Sequence, residues 1–370
     1  MLDIKLKIKP GHTSDRSWMK PSPMKQLFWN VTYNCNYGCG ICFTDAGKPQ
    51  CDELTTREAM EVIDRACEAG VKDLIISGGE PFMRKDMVEI LAHMAGTGMA
   101  ARIASNGSLL TDDLLRQLRQ DTPTKSFQIS IDTLEPDLYS EFHRAPSRLL
   151  RSALHAVSRI QEHGFHTTVS VRLTPATLPG IPRLLDRACV EGWHTVTIHW
   201  PMHTRRTADA FAQDADFLTL LEPVFEHFLA LPQRWLIEMY VPWARYHPVA
   251  RQLEKQIRVV YSGCGAGRDL LALNPCGWLS PCVCLDVPAA YVGNVRRDDL
   301  ASVFQNAPIC HMYRRPKEHG ICAECPNVHT CGGGCRAAAF VLTGRLDAQD
   351  ESCPVRRRRA ARGTRLHEAS

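Results

Sequence analysis

Cys35-Asn36-Tyr37-Gly38-Cys39-Gly40-Ile41-Cys42 puts three thiols on one short stretch, spaced C-x3-C-x2-C. Such short spacings suit iron–sulfur clusters, whose irons take cysteine thiolates. Three ligands fill three corners of a [4Fe–4S] cube and leave one iron open to a substrate or cofactor. A structural zinc site wants four closed ligands, so a three-cysteine zinc loop with a borrowed fourth ligand is the weaker reading. A second set, Cys322-x2-Cys325-x5-Cys331-x3-Cys335 followed by Cys353, is too regular for chance. Upstream of it, Cys264 is followed by twelve residues and then Gly277-x4-Cys282. Spacing alone also allows a zinc ribbon over 322–353.

These residues must be held by a fold, and composition bounds it. The chain has 370 residues, 44% hydrophobic and 23% charged, with 16 cysteines. These are globular values that exclude global disorder. A net charge of +4 is too mild for nucleic acid to be the main partner. No apolar run approaches the ~18–20 residues of a membrane helix, so no membrane partner is expected. The start, Met1-Leu2-Asp3-Ile4-Lys5-Leu6-Lys7, alternates charged and apolar residues and reads as no signal peptide. A cytoplasmic location follows as the expectation. In a reducing compartment, cysteines at short regular spacing hold metal more often than disulfides.

Strand-like runs at 26–31, 73–77, 101–105, 127–131, 168–173 and 195–200 alternate with helical periods at 55–69, 85–97, 111–120, 147–164, 180–191 and 214–230. Thr55 with Glu58 forms a capping signature at the start of the first helix. Six βα units in series imply a parallel sheet with right-handed crossovers. The expected fold is α/β, a partial (β/α)6 TIM-like barrel whose chemistry sits at the C-terminal strand ends. Five segments are expected: an N-terminal segment 1–25, the barrel 26–230, a bridging region 231–262, a Cys-rich module 263–353 and a basic tail 354–370. The Cys-rich module has little apolar periodicity and should depend on bound metal to stay folded.

The first cysteine loop, with Phe43 directly after it, resembles the radical S-adenosylmethionine (SAM) superfamily. Gly78-Gly79-Glu80-Pro81 is similar to that family's GGE motif, where backbone and Glu80 hold the SAM amino group. Ser105-Asn106 and Ser130-Ile131-Asp132 are similar to positions that contact the SAM ribose and carboxylate, and Arg144 to an arginine on that carboxylate. The second set resembles the family's SPASM extension, which binds two auxiliary [4Fe–4S] clusters. The resemblance implies three clusters in all. Cys35, Cys39 and Cys42 would hold the SAM cluster. Cys322, Cys325, Cys331 and Cys353 would hold the outer auxiliary cluster, and Cys264, Cys282 and Cys335 the inner one. Cys276 is the first candidate for the fourth inner ligand and Cys284 the second, with an open or non-cysteine site as the third option. Cys276 lies in an expected hairpin turn, which argues for its pointing away.

The resemblance implies an enzyme that cleaves SAM reductively to a 5′-deoxyadenosyl radical and oxidises a C–H bond. Relatives include mycofactocin-precursor maturases and coproporphyrin decarboxylases of haem pathways. A ribosomal peptide or peptide-derived natural product is the first substrate class, and a small molecule (aminosugar, nucleoside or porphyrin) the second. Cys35 comes too early for the ~80-residue N-terminal recognition domain of many peptide modifiers. That predicts a separate peptide-recognition protein or a non-peptide substrate. A flavodoxin- or ferredoxin-type electron donor is implied as well. Asp286 is the candidate acid or base, while His199, Trp200 and His203 follow the sixth strand and either face the pocket or simply pack. The non-enzymatic alternative is a zinc-stabilised scaffold protein.

Overall fold

The computed structural model describes residues 4–9, 22–47, 51–199, 222–231, 236–240, 258–261, 264–315, 317, 319–326, 328–350 and 353. After β1 (Ile4–Lys9), six strands lie side by side in chain order, every neighbouring pair parallel. They are β2 (Gln26–Asn30), β3 (Asp73–Ser77), β4 (Ala100–Ser105), β5 (Thr124–Ser130), β6 (His166–Arg172) and β7 (Thr195–His199). One strand face, with Trp29, Ile76, Ile103, Phe127, Val171 and Ile198, is fully buried in the main core. It packs under the apolar stripes of α1 (Thr56–Glu68), α2 (Met87–His93), α3 (Asp112–Asp121), α4 (Pro136–His143), α5 (Arg148–Glu162) and α6 (Ile181–Glu191). By register the other face carries smaller and more polar residues, among them Ala104, Gln128, Thr168 and Ser130. That is the inner face of the barrel.

The sheet does not stop at six strands. β8 (Leu236–Tyr240) pairs parallel with β7, β1 pairs parallel with β8, and β9 (Arg258–Tyr261) pairs parallel with β1. Segments expected outside the barrel, in 1–25 and 231–262, therefore supply three of its strands. A six-residue strand carries no mark of its partner when that partner lies far along the chain, and periodicity cannot supply one. At the opposite edge β10 (Leu270–Leu273) pairs parallel with β2, and an antiparallel meander of β11 (Trp278–Ser280) and β12 (Gly293–Asn294) follows. The Cys-rich module thus begins beside the strand that leads into Cys35.

Helix α1 starts at the expected capping box. The Thr55 hydroxyl accepts from the Glu58 N–H at 3.3 Å, and Glu58 Oε2 accepts from the Thr55 N–H at 2.8 Å. Helix α4 was not anticipated, because eight residues are too few to show a helical period. Its proline in the first turn and the left-handed Arg144 (φ 45°) after its end delimit it. Beyond β12 the described residues form short helices; Leu300, Phe304, Ala307 and Cys310 join the main core, while Ala337 packs with Leu285 and Ala290 in a small separate one. Trp200, His203 and the tail from residue 354 lie outside the described residues.

Candidate active site

The cysteine loop leaves the C-terminal end of β2 and is pinned from two sides. Gly38 and Gly40 donate their N–H groups to the carbonyls of His143 and Phe142, at 3.2 and 3.1 Å, so the end of α4 docks on the loop. The Arg144 side chain lies over the same two glycines, within 4.0 Å of the position a Cβ would take at either. Each thiol has a polar partner. Cys35 Sγ accepts from the Tyr37 N–H at 3.4 Å, and Cys42 Sγ accepts from the Ala46 N–H at 3.4 Å with the Thr44 hydroxyl at 3.2 Å. Cys39 Sγ lies 3.3 Å from His143 Nδ1. Burial pushes the Cys39 thiol up to about 12, and the nearby Cys42, Asp132 and Cys35 reinforce this. Cys39 therefore sits within electrostatic reach of both other thiols. The Arg172 guanidinium counters part of that charge; it donates to the Ile41 carbonyl and lies 5.7 Å from the Phe43 ring centroid.

At the end of β3, Gly78 and Gly79 are demanded by close approach. A Cβ on Gly79 would stand 2.1 Å from the Asn34 carbonyl oxygen, and one on Gly78, whose φ is +135°, 2.5 Å from that of Thr32. Hydrogen bonds from the Gly79 and Glu80 N–H groups to Thr32 and Asn34, at 2.7 and 2.9 Å, lock this turn to the segment entering Cys35. Glu80 is 0% exposed. Its carboxylate accepts from the Ser105 hydroxyl at 2.9 and 3.1 Å and from the Asn106 N–H at 2.8 Å. Burial nevertheless raises its pKa to about 7. The Asn106 amide reaches Asn36 Oδ1 at 2.9 Å, which ties the end of β4 to the cysteine loop.

Asp132 lies just past β5, which ends at Ser130, and is buried. Its Oδ1 accepts from the Arg172 N–H at 2.6 Å, and its Oδ2 lies 3.3 Å from His143 Nε2. Burial opposes its ionisation, yet His143 and Arg172 outweigh that and hold its carboxyl below the usual range. Phe43, Gly78, Gly79, Glu80, Ser105, Asn106, Ser130, Asp132 and Arg144 thus all gather at the C-terminal strand ends, with the cysteine loop. His199 ends β7 at the same rim.

In the Cys-rich module, Cys264, Cys282 and Cys335 come within electrostatic reach of one another and of the Tyr313 hydroxyl. The Cys282 thiol hydrogen-bonds Cys284, which together with burial raises its pKa well above the ordinary value. Cys322 lies near Cys353 and Cys325, and Cys331 near Cys353. Cys276 departs from expectation as an inner ligand: its sulfur is disulfide-bonded to Cys51, with Cα atoms 6.0 Å apart. The cause is the turn Asn274–Gly277. Asn274 Oδ1 caps the N–H groups of Cys276 and Trp278, at 3.0 and 2.9 Å, and this turns Cys276 toward the loop before α1. Asp286, the candidate acid or base, is hydrogen-bonded through both carboxylate oxygens. Tyr33 donates to its Oδ2 at 2.5 Å, and Tyr291 and Asn274 donate to its Oδ1 at 2.8 Å each. It is a brace between β2 and the Cys-rich module.

Comparison with known proteins shows the family. Residues 29–183 match the family model described as the radical SAM superfamily, and 264–326 match SPASM, an iron–sulfur cluster-binding domain. The chain belongs to the radical SAM superfamily and carries a SPASM domain. It is 27% identical over 358 residues to an AdoMet-dependent heme synthase of Oleidesulfovibrio alaskensis, covering 91% of this chain and 89% of that protein. Mycofactocin maturase MftC of Mycobacterium ulcerans is 27% identical over 335 residues, covering 88% and 87%. The PqqA peptide cyclase of Granulibacter bethesdensis is 26% identical over 348 residues, covering 90% and 88%. Among solved structures, Streptococcus suis SuiB bound to precursor peptide SuiA shares the fold, with a TM-score of 0.74 at 18% identity over 91% of this chain and 77% of that one.

This radical SAM enzyme binds SAM and a [4Fe–4S] cluster through its barrel, and iron–sulfur clusters through SPASM. The first loop fits such a group: Cys39 lies within electrostatic reach of both Cys35 and Cys42, and Cys35 and Cys42 each accept a backbone N–H bond of the kind that supports a ligating thiolate. Among the described residues no helix is long and apolar enough to cross a membrane. Sequence reasoning missed His143 and Arg172. Arg172 ends a strand run and could have been found by the same strand-end rule as Glu80; His143 lies on a helix that carried no periodic signal.

Proposed function

We propose that this radical SAM enzyme oxidises a C–H bond of a ribosomal peptide or peptide-derived natural product, using three [4Fe–4S] clusters. The observation that carries the reading is the sorting of the thiols into three groups: Cys35, Cys39 and Cys42; Cys264, Cys282, Cys284 and Cys335; Cys322, Cys325, Cys331 and Cys353. With clusters and SAM bound, these sites supply a 5′-deoxyadenosyl radical that removes hydrogen and a route for the remaining electron. Cys284 replaces Cys276 as the fourth inner ligand, because its sulfur is the one beside Cys282. Glu80 receives the SAM ammonium, and Ser105 and the Asn106 N–H orient its carboxylate. Gly78, Gly79, Phe43, Ser130 and Arg144 line the rest of the SAM site, and Asp132 shapes it from behind His143. A flavodoxin- or ferredoxin-type protein delivers the electron in the cytoplasm, and a separate recognition protein presents the peptide.

The relative named a PqqA peptide cyclase supports a peptide substrate. The relatives named heme synthases favour a second reading, oxidative decarboxylation of a porphyrin. One anaerobic assay tests both. The iron-loaded chain with SAM and dithionite should form 5′-deoxyadenosine, and replacing Cys35, Cys39 and Cys42 together by Ala should abolish it with loss of about four irons. SAM cleavage by the triple variant would overturn the class assignment. With a precursor peptide and coproporphyrin offered in parallel, a peptide product lighter by two hydrogens supports the first reading. Conversion of coproporphyrin alone selects the second.

A further inference from the structure

We propose that His143 is a positioning residue for the first cluster: its ring donates a hydrogen bond to the Cys39 ligand sulfur, is braced from behind by Asp132, and makes the bound cluster easier to reduce. The proposal rests on the reading that Cys35, Cys39 and Cys42 hold a cluster.

The ring is held so that it cannot avoid the sulfur. His143 is 3% exposed, with Nδ1 3.3 Å from Cys39 Sγ. Tyr139 packs on it with ring centroids 4.2 Å apart, and the edge of Tyr37 meets it at 5.9 Å. Its own carbonyl accepts from the Gly38 N–H, so loop and helix end move as one piece. On the far side Asp132 Oδ2 stands 3.3 Å from Nε2, an ion-pair separation without the alignment of a directed hydrogen bond. The other oxygen of Asp132 is fixed by the Arg172 N–H at 2.6 Å. A ligating thiolate can only accept, so Nδ1 at 3.3 Å meets Cys39 Sγ as the nitrogen that carries hydrogen.

Cys35 and Cys42 take backbone donors from their own loop, from Tyr37 and Ala46. Cys39 is met instead by a ring from 104 residues away. A charge-assisted donor on a ligand sulfur stabilises the more negative, reduced cluster more than the oxidised one. Outer groups of this kind tune a metal centre without touching it.

The test uses the full chain with its iron restored, and follows the EPR signal that changes when SAM is added. His143→Phe keeps a flat ring between Tyr139 and Tyr37 but removes both nitrogens, while His143→Gln keeps a donor. At the wild-type midpoint potential, the ratio of reduced to oxidised site cluster should fall about tenfold in His143→Phe, which for a one-electron couple is about 59 mV. His143→Gln should recover most of it. A His143→Phe cluster that titrates with wild type overturns the proposal, and so does an equal fall in both variants. A measurement on the unaltered chain stands apart from whether a variant folds. With 15N-labelled histidine, pulsed EPR should show nitrogen coupling in the SAM-responsive signal, and its absence also overturns the proposal. If the Cys35, Cys39, Cys42 triple variant retained that signal, the cluster assignment itself would fall, which is a different failure.

Discussion

Glu80 is a carboxyl with no solvent around it, and its environment works in two directions. Ser105 and Asn106 favour the carboxylate; burial disfavours it more, and its pKa rises to about 7. A folded-state value above the unfolded ~4.5 means the native state holds the proton longer. Stability is then unaffected below about pH 4.5, falls as pH rises toward 7, and loses roughly 3 kcal/mol in total. The SAM ammonium would offset that loss by pairing with the ionised form. Thermal melting of wild type against Glu80→Gln should show it. The wild type, relative to the variant, should lose stability between about pH 4.5 and 7, and SAM should restore it. SAM should bind the variant more weakly at pH 8 with iron content unchanged. Equal pH slopes for the two proteins would remove the buried charge from the account.

Between elements, the joint between α1 and the SPASM hairpin carries the most specific contacts. Arg296 donates to Glu58 at 2.6 and 3.3 Å, to the Cys276 carbonyl at 3.1 Å and to the Asp52 carbonyl at 3.2 Å. Arg65 reaches the Val295 carbonyl, and the Leu54 N–H donates to Pro275 at 2.8 Å. The hydrogen bond from Arg296 lowers the Glu58 pKa to about 2. Its contribution is therefore complete above about pH 4.5 and disappears as pH falls toward 2. The pair is about a third exposed, so solvent screening limits the ionic part to below about 1 kcal/mol. Arg296→Ala should cost about 1–2 kcal/mol in urea unfolding of the iron-loaded chain, the lost carbonyl bonds included. The disulfide in the same joint yields a sharper test of the ligand set. Cys276→Ser should leave iron content unchanged, whereas Cys284→Ser should lose iron from the inner auxiliary site. Iron loss confined to Cys276→Ser would restore Cys276 as the ligand.

Across the whole molecule, barrel and SPASM module share one sheet through β10 and β2, and the Tyr33–Asp286 hydrogen bond crosses between them from residues two positions from Cys35 and Cys284 in the chain. The inner cluster should therefore act with the SAM site, taking up an electron when the substrate radical is oxidised. A soluble Cys282→Ser protein should still cleave SAM, because the first loop is intact, but should form little oxidised product. The ratio of 5′-deoxyadenosine to product should rise several-fold. A wild-type ratio would take the inner cluster off the electron path. Cys282, Cys284 and Cys335 of the inner group pack against the small core around Leu285, Ala290 and Ala337, so metal bound there should contribute to folding as well as to redox chemistry.

The cysteine loop, the Gly78-Gly79-Glu80 turn, the strand-end positions and the order of the βα units were all legible in the sequence. Ligand spacing and strand periodicity are local properties, and local properties are written in neighbouring residues. The family followed from them. What the sequence left open were the contacts between distant segments. Cys276 meets Cys51 across 225 residues and His143 meets Cys39 across 104. Strands β1, β8 and β9 complete the sheet beside β7. No period or motif encodes such pairings. Packing selects them, when a helix end too short to signal itself docks on a loop, or a capped turn aims one sulfur away from its neighbours. Spacing thus determined which thiols could bind iron, and tertiary structure decided which sulfur stands beside Cys282 and which ring stands behind Cys39.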